Sequence, residues 1–470
     1  MPINNFLLPG IKYITPYTID NSCRFNLGDS PQLSKSVGSS ATTKYTLSLW
    51  VKRGNITTSA GQRFLTSTGG GGLGDTYFRF NPSDIIEISG HGSNAAGGGY
   101  LITNRKFRDP SAWMHLCVRY DSTESTANDR FRLYINGVDE RSVGGYSTDT
   151  MPNSDVADNI TASGNTLRVG ATASAQYCGM YMAEYHFSEG YSYAPTEFGE
   201  YDEDSPTIWK PKEASISYGT SGFYLDFKDS ANLGNDANGG TDLSETNIAA
   251  TDQSIDSPTN NFCTFNPLKD GRVNSGTQYK ATFSEGNTTS TFAEGTYNTS
   301  AFSSIAVSSG KWYAEIKCSS TGGNTKLGLF SADDYGYDDF SGTYLYDSSG
   351  TFGGSSYGDS YTDDDIIQIA FDATNGVVWF GKNGTWQDSA TQGEIEAGTT
   401  TNSAATGIDM TQFWHFGTYG VNGTAFQANF GSPSFAITSG NADGDGYGNF
   451  EYAVPSGYYA LCTKNLAEYG

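Results

Sequence analysis

The chain predicts an all-β protein built from antiparallel sandwiches, and three observations predict it. Apolar and polar residues alternate in short runs, helical periodicity is nearly absent, and clusters of Gly, Asn, Asp and Ser bound the runs. Aromatics make up 14% of the chain against 17% charged residues, which supplies a core and excludes a disordered chain. At 470 residues and ~150 per domain, about three ordinary domains or two large all-β ones are expected.

Taken in order, residues 45–51 and 113–120 alternate as strands. Residues 131–135 do the same and run straight into Asn136–Gly137, the dipeptide whose positive φ suits a tight hairpin. Residues 311–316, 366–371 and 377–380 repeat the pattern, the last followed by Asn383–Gly384. Strands at this spacing without intervening helices argue for sandwiches rather than parallel α/β units. The expected organisation is an extended arm at 1–22, a sandwich at 23–200, an ordered bridge at 201–262 and a second sandwich at 263–470. No heptad or Gly-X-Y repeat occurs, so the chain does not itself build a long shaft.

Acidic residues outnumber basic ones 51 to 27, a net charge of −24. That balance excludes nucleic acid and anionic membranes as partners, since both need basic patches. No apolar run approaches the ~18 residues of a membrane span, so no membrane insertion is expected. The N-terminus has no basic region ahead of a long apolar stretch, which implies synthesis and folding in the cytoplasm. The six cysteines form no CxxC pair and are read as buried free thiols.

Catalysis is not expected. Only four histidines occur, His115, His186 and His415 lie in aromatic strand contexts that suit packing, and no GxSxG, HExxH or P-loop pattern is present. Glu200, Asp202 and Asp204 are the nearest approach to paired carboxylates, and their run reads as a solvated loop. No cofactor is required. Calcium has one candidate site, Asn441, Asp443 and Asp445, whose alternate oxygens precede Gly446; a plain Gly/Asp turn reads the same residues without an ion. For sugar binding, the segment 333–365 carries Tyr335, Tyr337, Tyr344, Tyr346, Tyr357 and Tyr361 among several Asp residues, as ring stacking with hydroxyl acceptors requires. The competing reading is that these tyrosines build hairpins. In the arm, Ile3, Phe6, Leu7 and Leu8 are too apolar to stay in water, and either dock on another subunit or pack on the chain's own sandwich.

Four segments of the first block, 25–33 (FNLGDSPQL), 45–53 (YTLSLWVKR), 113–121 (WMHLCVRYD) and 131–137 (FRLYING), resemble the laminin-G-like, concanavalin-A-like jelly roll. In the second block, 309–316 (SGKWYAEI), 327–331 (LGLFS), 365–372 (DIIQIAFD), 376–386 (GVVWFGKNGTW) and 429–431 (NFG) resemble a SPRY domain, which is also a concanavalin-A-like sandwich. The stretches 4–9 (NNFLLP), 183–211, 222–227 (GFYLDF), 256–268 (DSPTNNFCTFNPL) and 456–466 (SGYYALCTKNL) resemble linking segments of tailed-phage virion proteins. The resemblance implies two concanavalin-A-like antiparallel β-sandwiches on the surface of a virion. It implies a tail-fibre or tail-appendage subunit that adheres to host-surface glycans, or alternatively a head or capsid decoration serving assembly. Other virion proteins and further copies of the chain, as a trimer, are the implied partners. If the arm docks on another subunit, deletion of residues 2–21 leaves a folded protein that no longer joins the particle. Particle incorporation, read on a gel, is the measurement, and normal incorporation removes the docking role.

Overall fold

In the computed structural model the alternating runs become two packed sandwiches. The structure describes residues 16–68, 75–90, 97–269, 280–292, 299–333 and 342–470, with the backbone alone at 273–274 and 277–278. One sheet of the first sandwich runs, edge to edge, Val138–Asp139, Phe131–Ile135, Trp113–Asp121, Lys44–Arg53, Met180–Glu189, Ser22–Phe25 and Gln253–Ser254. The facing sheet runs Tyr146–Thr150, Tyr100–Thr103, Ile86–Ser89, Thr76–Phe80, Gln62–Thr68, Thr166–Val169, Gln32–Ser36 and Ser244–Thr246. All of these pairings are antiparallel.

Period-two alternation sorts the side chains. On the central strand Lys44–Arg53, Tyr45, Leu47, Leu49 and Val51 enter the core with Phe64, Phe78 and Leu116. Trp50 lies on the opposite face with Ala183 and Trp209. Asn136 and Gly137 both take positive φ, 48° and 77°, and turn Phe131–Ile135 back onto Val138–Asp139. Asn383 and Gly384 do the same after Val377–Lys382.

The bridge expected at 201–262 is largely part of the first sandwich. Phe223–Leu225 pairs with Met180–Glu189 and puts Phe223 and Leu225 in the core, while Ser244–Thr246 and Gln253–Ser254 extend the two sheets. The first sandwich therefore draws strands from well beyond residue 200.

In the second sandwich one sheet runs Thr282–Ser284, Thr289–Phe292, Thr424–Asn429, Lys311–Ser320, Ile366–Asp372, Val377–Lys382 and Thr385–Trp386. Its partner runs Thr299–Val307, Trp414–Gly420, Lys326–Ser331, Thr343–Asp347, Thr351–Phe352 and Ser355–Ser356. Trp312, Ile316, Leu327, Leu329, Phe371 and Phe416 fill the space between them. The helices are short, and among the described residues none is long and apolar enough to cross a membrane. All six cysteines are buried free thiols, and burial pushes the Cys117 thiol up to about 12.

Polar contacts join the sandwiches. Lys52, on the outer face of the central strand, donates to Asp256, Asn261 and the Phe262 carbonyl. Arg24 lies 3.3 Å from Glu285, and the Asn287 side chain donates to the Gly54 carbonyl. Tyr181 donates its hydroxyl to the Gly286 carbonyl.

Inside the first sandwich, Arg53 is fully buried and depends on Asp84 at 3.1 Å. Asp84 also accepts from the Thr57 amide and from Arg108. Burial alone would raise the Asp84 carboxyl, but the Thr57 amide, Arg108 and Arg53 together hold it below the usual carboxylate range. Asp84→Ala leaves a buried cation unpaired, so urea unfolding should show a loss of about 3–5 kcal/mol at neutral pH. Folded Asp84 binds a proton more weakly than the unfolded side chain, so its stabilisation is present above about pH 4 and fades as the pH falls further. The gap between variant and wild type should narrow accordingly below that pH.

Candidate functional site

The outer face of the sheet containing Lys326–Ser331 and Thr343–Asp347 carries a cleft of about 350 Å³. Its lining is Lys326, Thr343, Leu345, Asp347, Thr351, Phe352, Gly353 and Gly354. Alternation explains the set: in Thr343–Asp347 the odd positions face outward, and Lys326 lies directly across from Asp347 in the register. Lys326 Nζ and Asp347 Oδ2 are 3.3 Å apart, so the cleft carries both signs of charge and little net field. Leu345 is an apolar floor continuous with buried Phe302, Phe330 and Tyr419 on the same face. Between Lys326 and Phe330 the strand carries Gly328, where a Cβ would fall 2.1 Å from the Tyr344 carbonyl oxygen, so a side chain is excluded beside the floor.

The same segment holds the tyrosines expected to stack sugars, and the described ones face the other way. Tyr346 is fully buried and Tyr361 is 3% exposed, so both are core residues rather than platforms. Tyr346 donates to the Asp359 carbonyl, and Tyr361 donates to the carbonyls of Tyr346 (3.0 Å) and Thr325 (3.2 Å). Tyr344 and Tyr357 are half-buried: one ring packs 5.2 Å from Trp414, the other against Phe352 and Phe380. Their physical role is to brace the cleft from behind, with Tyr357 packed 5.8 Å from Phe352. Tyr335 and Tyr337 lie outside the described residues, as do Ile3, Phe6, Leu7 and Leu8. The last part of the arm is described and packs on its own sandwich: Tyr17 donates to Glu184 at 2.8 Å, and Ile19 is buried with Trp50 and Trp209.

The loop proposed for calcium has another use for its oxygens. Asp443 Oδ1 accepts the amides of Asp445 and Tyr447, and its Oδ2 accepts the Ala460 amide and the Asn465 side chain. Asn441 donates its side-chain amide to the Glu451 carbonyl at 2.9 Å. A cation at Asp443 would have to displace four N–H donors, and among the described residues no group of three or more His, Cys, Asp or Glu is placed to hold a metal.

The described histidines, His115, His186 and His415, pack. Burial, with His186 nearby, brings His115 down to about 3, and its ring stacks on Trp209. Burial also brings His415 down to about 4. His186 stacks 4.3 Å from Tyr224 and lies 3.4 Å from Glu184. Burial would raise Glu184, yet His186, Tyr224 and Tyr17 hold it below its usual value. This carboxylate–histidine–tyrosine cluster was not signalled by any motif; only the Glu184–x–His186 spacing hints at it. Asp202 caps its own turn and pairs with Lys210 at 3.3 Å.

Residues 27–185 match the sequence profile of the concanavalin A-like lectin/glucanases superfamily. Among solved structures, the SPRY domain of human HERC1 is 16% identical over 35% of this chain and 96% of its own, with a TM-score of 0.27. A heptameric SAP-like pentraxin from Limulus polyphemus is 14% identical over 37% of this chain and 78% of its own, with a TM-score of 0.27. Domain 4 of AbnA, an extracellular arabinanase from Geobacillus stearothermophilus solved with arabinotriose, is 18% identical over 35% of this chain and 68% of its own, at 0.24. A comparison with curated proteins finds no match. The fold is all-β, with a concanavalin-A-like sandwich over the matched residues.

Asp443→Ala removes four acceptor contacts at the closing loop and should cost about 3 kcal/mol. The loss should be the same in excess calcium and in chelator, and the wild-type melting temperature should not differ between them; a calcium-dependent shift would restore the ion.

Proposed function

We propose that the protein is a non-enzymatic carbohydrate-binding component of a tailed-phage particle, exposed on the virion surface and bearing its saccharide site on the second sandwich. The observation that carries the sugar reading is the cleft itself. It joins an apolar floor, Leu345, to Thr343, Thr351, Asp347 and Lys326, whose oxygens and ammonium suit hydroxyl recognition. Its volume of about 350 Å³ suits a small saccharide rather than a macromolecular face. The superfamily matched by residues 27–185 includes lectins by name, which supports a binding role without assigning the site. Phage origin rests on the linking segments 183–211, 256–268 and 456–466, and a tail appendage working through many weak contacts is the favoured position. The absence of shaft repeats favours the second reading, a head decoration; counting copies per particle separates the two.

The test is a glycan array probed with wild type, Thr351→Ala and Asp347→Ala. Wild type should bind a restricted set of saccharides, and each variant should weaken binding by about tenfold. Equal binding by all three moves the site elsewhere, and no binding by wild type removes the sugar reading.

A further inference from the structure

The lysine that joins the two sandwiches sits among the components of an amide bond. The Lys52 side chain is 1% exposed, on the outer face of the central strand. Its Nζ lies 2.6 Å from Asp256 Oδ2, 2.7 Å from Asn261 Oδ1 and 2.7 Å from the Phe262 carbonyl oxygen. Asn261 donates Nδ2 to the Ser111 carbonyl at 2.7 Å, so its amide is held with the oxygen toward the amine. Asp256 is as buried as Lys52, and its second oxygen accepts Trp113 Nε1 at 2.9 Å and the Phe262 amide at 3.2 Å. The Tyr181 ring lies 5.8 Å from Nζ, and Trp113 packs on Tyr181. An amine, a carboxamide and a carboxylate therefore meet within hydrogen-bond distance in a site walled by aromatic rings.

We propose that Lys52 and Asn261 form an intramolecular isopeptide bond once the chain has folded. Asp256 takes a proton from Nζ along the 2.6 Å contact, leaving an amine. The Nζ lone pair attacks Asn261 Cγ, and the Nζ–Cγ bond forms in a tetrahedral adduct. Nζ sheds a second proton, and the Cγ–Nδ2 bond breaks with its electron pair going to Nδ2. The two protons given up by Nζ leave with Nδ2 as ammonium, by way of Asp256, which ends as it began. Nothing is oxidised or reduced: an ammonium and a carboxamide become a secondary amide and an ammonium ion. Fixed geometry supplies the rate, because two groups held at contact distance react at a high effective concentration. Asn261 is the electrophile because Asp256 is the carboxylate in ion contact with Lys52, and an ionised carboxylate is a poor acyl acceptor. The product ties the central strand of the first sandwich to the entry of the second across 209 positions of sequence.

Intact-mass measurement on the purified full-length protein decides the matter without any variant. After allowance for the initiator methionine, the mass should be about 17 Da below that of the sequence, one ammonia lost per bond formed. Trypsin should then release a branched peptide joining residues 45–53 to 229–269, because acylated Lys52 is no longer cut. Lys52→Arg and Asn261→Ala should restore the full mass, and both should migrate more slowly than wild type on a reducing denaturing gel. Asp256→Ala should do likewise, with folding of each variant checked by circular dichroism. A wild-type protein at full sequence mass overturns the proposal. So does a mass deficit without the branched peptide, and so does a loss of water with the branch at Asp256.

Discussion

A buried cation must be answered on the spot, and Lys52 sets the terms on which the two halves of this protein meet. Its strand lies at the centre of a sheet, and its side chain emerges on the face that a lone sandwich would give to water. Desolvating an ammonium costs several kcal/mol unless close acceptors replace the water. All three acceptors come from the segment 256–262, immediately ahead of the second sandwich. That segment has to cross the sheet at this point, and the entry of the second sandwich is fixed by it. Arg24, two strands away in the same sheet, repeats the logic through Glu285. The junction is thus made of matched charges and carbonyls, where a loose tether would have left two charged side chains in water.

This use of the outer face decides where a ligand can go. The sheet carrying Lys52 is covered by the bridge, by Tyr17 and Ile19, and by the turn around Glu285. The outer face of the second sandwich's smaller sheet instead keeps a cleft, and the core behind it is unusually aromatic. Tyr346, Tyr357, Tyr361 and Phe380 pack edge and face within about 6 Å, with Phe352 in the same inward cluster, and stiffen the strands that form the cleft wall. A wall held this way loses little freedom when a ligand settles on it, which matters for a shallow site with few contacts.

Strands and hairpins were legible because their signals are local. Alternation placed the long strands, and Asn136–Gly137 and Asn383–Gly384 placed two turns. Ser244–Thr246 and Gln253–Ser254 were not legible: they are short, polar edge strands that exist only because Gln32–Ser36 and Ser22–Phe25 offer them partners. Within 343–347 strand parity, not the number of tyrosines, decides which side chains face outward. Tyr344 and Tyr346 are two apart and share the inward face, and Thr343, Leu345 and Asp347 necessarily share the outward one. Alternating oxygens at 441–445 carried a true ambiguity, since the spacing that surrounds a cation also gathers backbone N–H groups. Only the fold brings the Ala460 amide and the Asn465 side chain to Asp443.

The contacts of Lys52 show a harder limit on reading sequence. Within YTLSLWVKR the lysine occupies a polar-face position that normally points to water, so the local pattern assigns it no work. Its partners lie 204 and 209 positions away, in a polar stretch that reads as an ordered bridge and names no partner for it. Neither half contains the signal; it arises when a second body is laid against the first. The same condition governs function in a two-sandwich chain. A cleft on one body can be presented at a fixed angle only if the other body holds it rigidly, and the contacts that join the bodies include the buried polar ones of Lys52, Tyr181 and Asn287. Under the proposed role, weak sites repeated on a particle would gain from a fixed orientation, because such copies engage a surface together without each losing its own rotational freedom.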